Sequence, residues 1–136
     1  MKAITVQTKI NDTLEKVWDR YTKPGHIIHW NFATPEWRCP TANNDVRVGG
    51  VLNTRMEAKD GSMGFDFIAT YTQVKPMVHL EYSLEDNRKV NVFFAQDGNM
   101  VTVTGTFEPE KSNPEEMQQQ GWQSIMDNFK KYVEST

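Results

Sequence analysis

The sequence predicts an α+β fold in which an antiparallel meander packs against a long C-terminal helix. Three observations carry that expectation. From Val51 to Phe107, apolar side chains recur at every second residue in five runs separated by turn signals, the pattern of hairpin-linked strands. From Asn113 onward the spacing changes to three and four, which marks one face of a helix. Ahead of the meander, one alternating run leads into two short helical patterns. A long amphipathic helix that follows a meander buries its apolar stripe most simply across the concave face of the sheet.

Each element has its own signal. Residues 3–10 (AITVQTKI) alternate and open the chain as a strand. Asp12 is placed to cap a helix, with Glu15 three residues on completing a capping box. Leu14, Val17, Trp18 and Tyr21 follow as one apolar stripe, and Lys23-Pro24-Gly25 ends it. A second short helix over 25–31 carries Ile27, Ile28 and Trp30. From Asn31 to Gly50 the pattern is irregular, with Pro35, Pro40, Asn43-Asn44 and Gly49-Gly50.

The meander then begins. Leu52, Thr54, Met56 and Ala58 share one face, and Asn53, Arg55, Glu57 and Lys59 the other. Asp60-Gly61 is a two-residue hairpin signal. The next strand sets Met63, Phe65, Phe67, Ala69 and Tyr71 on one side. Turns at Lys75-Pro76, Asp86-Asn87 and Asp97-Gly98 lead in succession to Val78-Leu80-Tyr82-Leu84, Val90-Val92-Phe94 and Val101-Val103-Gly105-Phe107. In the last helix Asn113 is read as the cap, Pro114 as the first helical position and Glu116 as the closing member of a capping box. Gln118, Trp122, Ile125, Met126, Phe129, Tyr132 and Val133 form its inward face.

Composition excludes more than it identifies. At 136 residues, 38% hydrophobic and 24% charged, the chain reads as one globular domain over 1–136. Fifteen Lys and Arg against 18 Asp and Glu leave a net charge of −3, so the basic excess of a nucleic-acid binder is missing. No apolar stretch approaches the roughly 18 residues of a membrane span, and the first residues lack a signal-peptide layout. A cytoplasmic protein without membrane insertion is expected. Cys39 is the single cysteine, which excludes an internal disulfide.

Several stretches carry a family resemblance: HWNFATPEW at 29–37, NDVRVGG at 44–50, RMEAKDGSMGFDF at 55–67 and FEPEKSNPEEMQQQGWQSIMDNFKKYVE at 107–134. With this element order, the chain resembles the helix-grip (START-like, birch-pollen-allergen-like, SRPBCC) superfamily. Within it, the chain is similar to the family named for homologues of the activator of the heat-shock-protein-90 ATPase. The resemblance implies an antiparallel sheet of about seven strands wrapped round the C-terminal helix, with a cavity between them. Such relatives include lipid carriers, hormone receptors, polyketide cyclases and co-chaperone domains, so fold alone does not select a function.

Few residues suggest chemistry. His26 and His29 lie near Cys39, but a zinc site needs three or four ligands and no carboxylate pair or Cys-x-x-Cys completes one. No metal and no cofactor is expected. No nucleophile elbow, phosphate loop or dinucleotide fingerprint is present. Glu57 and Asp66 fall on the outer face by the period-two count, unless a bulge slips the register and turns one inward as a base. Large and pliable side chains are the most informative feature. Trp30, Phe32 and Trp37 sit in the irregular segment, where they suggest a lid. Met56, Met63, Phe65, Phe67, Tyr82 and Phe94 point from the sheet toward the helix, which supplies Trp122, Met126 and Phe129. They either fill a core or line an apolar pocket, with Tyr82 and Trp122 as its polar tips.

The leading expectation is therefore binding of a small hydrophobic or lipid-like molecule at these twelve residues, without catalysis. One alternative is a polyketide-cyclase-like enzyme using the same cavity. Another is a co-chaperone domain that activates an ATPase. The chaperone partner is the less supported of these, because in the named activator such a domain is joined to a separate chaperone-binding domain.

Overall fold

A computed structural model describes residues 3–136. In chain order the elements are β1 (Ile4–Ile10), α1 (Leu14–Thr22), α2 (Pro24–Ile27), β2 (Trp37–Asn44) and β3 (Val51–Ala58). They continue with β4 (Gly64–Lys75), β5 (His79–Leu84), β6 (Lys89–Asp97), β7 (Met100–Phe107) and α3 (Glu115–Ser135). All seven strands form one antiparallel sheet in the order β1-β7-β6-β5-β4-β3-β2. The meander runs in sequence from β2 to β7, and β1 closes its far edge against β7. The sheet curls as a half-barrel around α3, the helix-grip architecture. No helix among the described residues is long and apolar enough to cross a membrane.

Period two dictates what the sheet buries. Val90, Val92 and Phe94 of β6 and Val101, Val103 and Phe107 of β7 all lie inside. Val6 and Ile10 join them from β1, and Met126, Phe129 and Val133 from α3. Among the strands, α3 packs mainly on β1. Each buried branched or aromatic side chain contributes about 1.5–3 kcal/mol over its exposed state.

Several local expectations are corrected. The cap of α1 is Thr13, whose hydroxyl accepts from the Lys16 amide at 3.2 Å, while Asp12 pairs with the Lys16 ammonium at 2.8 Å. Asn113 does not cap α3 and instead donates to the Glu110 carboxylate. Gln118 organises that turn, accepting from the Glu110 amide at 2.9 Å and donating to the Asn113 carbonyl at 2.8 Å. The helix expected over 25–31 is only Pro24–Ile27, continued by turns. Part of the segment read as irregular is the strand β2, which stands at the sheet edge where Pro40 and a bulge between Arg38 and Thr41 are tolerated. The Asp60-Gly61 connection is longer than two residues, because Ala58 closes it by donating to the Met63 carbonyl at 2.9 Å.

The Gly49-Gly50 pair anchors the β2–β3 connection to β4. The Gly49 amide donates to the Tyr71 carbonyl, and the Tyr71 amide donates to the Gly50 carbonyl, each at 2.9 Å. Gly49 has φ +86°, and a Cβ on Gly50 would lie 2.0 Å from the Asp45 carbonyl oxygen. Only glycine fits either place. The backbone around Tyr71 is thereby held by two strands and a turn.

Candidate functional site

Between the sheet and α3 lies a cavity of about 240 Å³. Protein interiors seldom leave voids much larger than a water molecule, so a space of this size is a feature of the fold. Leu52, Thr54 and Met56 line it from alternate positions of β3, while Phe65, Phe67 and Tyr71 do so from β4. Tyr82 comes from β5, Tyr21 from α1, and Trp122, Ile125 and Met126 from α3. Ile27, Trp30, Asn31 and Asn44 complete the wall. None of the described residues that line it carries a formal charge.

The twelve residues expected to line a pocket divide into two groups. Trp30, Met56, Phe65, Phe67, Tyr82, Trp122 and Met126 do line the cavity. Phe94 and Phe129 do not, since both are spent on packing: Phe94 meets the edges of Trp18 and Tyr21, and Phe129 those of Tyr21 and Trp30. Phe32, Trp37 and Met63 also lie outside the lining. Phe32 is half-buried, and its carbonyl accepts from Asn128 of α3 at 2.6 Å. Met63 belongs to the β3–β4 turn and is 64% exposed, so the inward position given to it by period two is corrected.

Trp37 begins the edge strand and meets Phe65 edge-on, with centroids 6.0 Å apart. Phe65 lines the cavity and is 48% exposed, which puts this aromatic pair at its rim. The expected lid over 30–40 is thus in part a strand. Trp30 is no lid residue either: it is buried, stacked on Tyr21 at 5.2 Å, with its indole N–H donating to the Arg20 carbonyl at 2.9 Å. Trp122 was expected to be buried and is half-buried, stacked on Phe107 at 4.2 Å.

The polar groups of the cavity are mostly ones that sequence reasoning did not single out. Tyr71 donates its hydroxyl to the Asn44 side-chain carbonyl at 2.7 Å, and the Asn44 amide donates to the Thr22 carbonyl at 2.7 Å. Tyr21 and Tyr82 also border the cavity. Burial pushes the Tyr71 phenol up to about 12, with the Asn44 hydrogen bond opposing it. Burial likewise pushes Tyr21 and Tyr82 well above the ordinary phenol value. All three are neutral at physiological pH. The period-two and helix-stripe patterns had turned Tyr21, Thr54 and Tyr71 inward. No sequence signal showed that they converge.

Groups outside the cavity have structural partners. Glu57 and Asp66 are on the outer face, where Arg55 meets Glu57 at 3.1 Å and Asp66 at 3.6 Å, and Arg38 meets Glu57 at 2.8 Å. His26 contacts the Tyr132 hydroxyl through Nδ1 at 2.5 Å, and His29 stacks on the Tyr132 ring. Burial pushes the Cys39 thiol up, away from nucleophilic use. No group of three His, Cys, Asp or Glu among the described residues could hold a metal.

A curled sheet gripping a helix across an uncharged cavity defines a helix-grip protein. The chain belongs to the family described as Activator of Hsp90 ATPase homolog 1-like protein, whose model matches residues 11–134. It is similar to the AHSA1-like protein from Aeromonas hydrophila, with 40% identity over 98% of this chain and 93% of that one, at a TM-score of 0.92. A protein from Cytophaga hutchinsonii is 45% identical over 97% of this chain and 92% of its own, with a TM-score of 0.84. A protein from Chromobacterium violaceum, 18% identical over 98% of this chain and 99% of its own, shares the fold at a TM-score of 0.87. No curated protein matches the sequence.

Proposed function

We propose that the protein is a ligand-binding domain that takes up a small hydrophobic molecule between the sheet and α3. The observation that carries this reading is the 240 Å³ cavity, walled by aromatic rings, aliphatic side chains and two methionines. Ligand sites are typically concave and mostly apolar, with a few polar groups that set orientation. Thioether side chains adapt to irregular ligands more readily than branched ones do. The reading favours binding over proton-transfer chemistry. An acid–base catalyst works best with a pKa near the working pH, whereas the titratable groups of this cavity are phenols held far above it.

An apolar fluorescent probe tests the proposal. The native protein is expected to bind it at one equivalent, and small apolar aromatics are expected to displace it. Native mass spectrometry of freshly purified protein would show any retained molecule directly. A probe that binds only after acid or denaturant treatment would mean that the native interior admits no ligand, and the proposal would fall.

A further inference from the structure

The size and wiring of the cavity restrict what it holds. An apolar cavity of about 150 Å³ takes a benzene-sized molecule, so 240 Å³ takes about ten heavy atoms. A long acyl chain does not fit inside it. The polar groups narrow the choice further. Thr54 is 1% exposed and lines the cavity, and its hydroxyl has no hydrogen-bond partner among the described residues. Buried polar groups are nearly always paired, and an orphan of this kind needs an explanation. One further donor is poorly used. The Asn31 amide reaches sulfur, donating to the Met56 thioether at 3.6 Å and lying beside the Cys39 thiol, and sulfur is a weak acceptor.

The Asn44 side-chain carbonyl in the wall is already taken by Tyr71. What the Thr54 hydroxyl lacks is a partner, and a ligand oxygen that accepts its proton would supply one. Charge is a separate matter. Among the described residues no Lys, Arg or His lines the wall, and burial already disfavours the ionised form of its own phenols. A ligand carboxylate there would be desolvated without a counter-ion, which disfavours it strongly.

We infer that the cavity selects a compact neutral ligand of about ten heavy atoms whose carbonyl-type oxygen accepts the Thr54 hydroxyl, in preference to an anion such as a fatty-acid carboxylate. This rests on the ligand-binding reading above and specifies its chemical class.

Three probes of one shape test it at pH 7: p-cymene, 4-methylacetophenone and 4-methylbenzoate, which differ only in an isopropyl, acetyl or carboxylate end. Affinities are read from amide shifts in two-dimensional NMR spectra. The ketone is expected to bind at least as tightly as the hydrocarbon, and at least about tenfold more tightly than the carboxylate. In a cavity that offers no donor, the ketone would bind more weakly than the hydrocarbon. Thr54→Val keeps the shape and removes the hydroxyl. It is expected to lower the ketone-to-hydrocarbon affinity ratio about three- to tenfold. Its thermal midpoint should be equal to the parent's or higher, because the unpaired hydroxyl is gone.

Binding of p-cymene together with equal or tighter binding of the carboxylate overturns this inference and leaves the ligand-binding reading intact. So does a Thr54→Val variant whose ketone-to-hydrocarbon ratio is unchanged. If none of the three binds, both readings fall.

Discussion

The two ends of the sheet are built from the same alternating strands and pack in different ways. Where β1, β7 and β6 face the helices, the inward positions hold Val6, Ile10, Val92, Val101 and Val103, closed over by Phe129 and Val133. None of these lines the cavity. Where β3, β4 and β5 face the same space, the inward positions hold Thr54, Met56, Phe67, Tyr71 and Tyr82, and the cavity remains open among them. Two causes act together. Among the strands, α3 packs mainly on β1, so the other end of the sheet reaches beyond the helix's cover. Branched aliphatic side chains also interdigitate to crystalline density, whereas rings with hydroxyl tips must keep those tips paired and cannot collapse freely. One end of the core is filled, and the other is left open around the cavity.

Equal truncations at the two ends give the largest test of that contrast. Phe129→Ala removes a ring that is fully buried against Tyr21 and Trp30 and is expected to cost about 3–5 kcal/mol in urea denaturation. Phe67→Ala removes a half-buried ring that borders the cavity, and should cost about 1–2 kcal/mol, below the value of a fully buried ring. Equal losses would mean that the cavity closes in solution and that the two ends are alike.

Gly50→Ala probes the anchor behind Tyr71. A Cβ 2.0 Å from the Asp45 carbonyl oxygen forces the turn to move, at an expected cost of about 1–3 kcal/mol. The variant should also shift the amide resonances of Tyr71 and Asn44 more than those of Val101 and Val103. A shift spread evenly over both ends would show that the turn does not hold the cavity wall specifically.

The smallest expected effect lies at the junction of the two ends. A Cβ on Gly105 would meet Val6 at 3.4 Å and Met126 at 3.5 Å, which is ordinary contact. Gly105→Ala is therefore expected to raise stability by about 0.4–1 kcal/mol through the unfolded state. A loss of stability in thermal melts would show that α3 approaches β7 more closely than these distances state.

The filled end was the more legible of the two. Alternation placed Val90, Val92, Val101 and Val103 inside, and the three-four spacing of the last helix placed Phe129 and Val133 against them. β2 went unread because Pro40, the bulge beside it and Asn43-Asn44 erase the alternation that marks a strand. The cap of α1 was displaced by one residue, because Asp12 and Thr13 are both good capping types and only backbone geometry chooses between them.

For the cavity, the sequence by itself determined which side chains turn inward, since facing follows from a period of two or 3.6 along a single element. It thereby turned Thr54, Tyr71 and Tyr82 toward the helix and set Tyr21 on an apolar stripe. Only the tertiary structure decided that Phe94 and Phe129 are consumed in packing while Phe67 and Trp122 border a space. It alone brought Asn44 to Tyr71 and left the Thr54 hydroxyl without a partner among the described residues. The physical reason is that a periodicity specifies direction within an element, whereas a void and a hydrogen bond depend on distances between elements far apart in the chain.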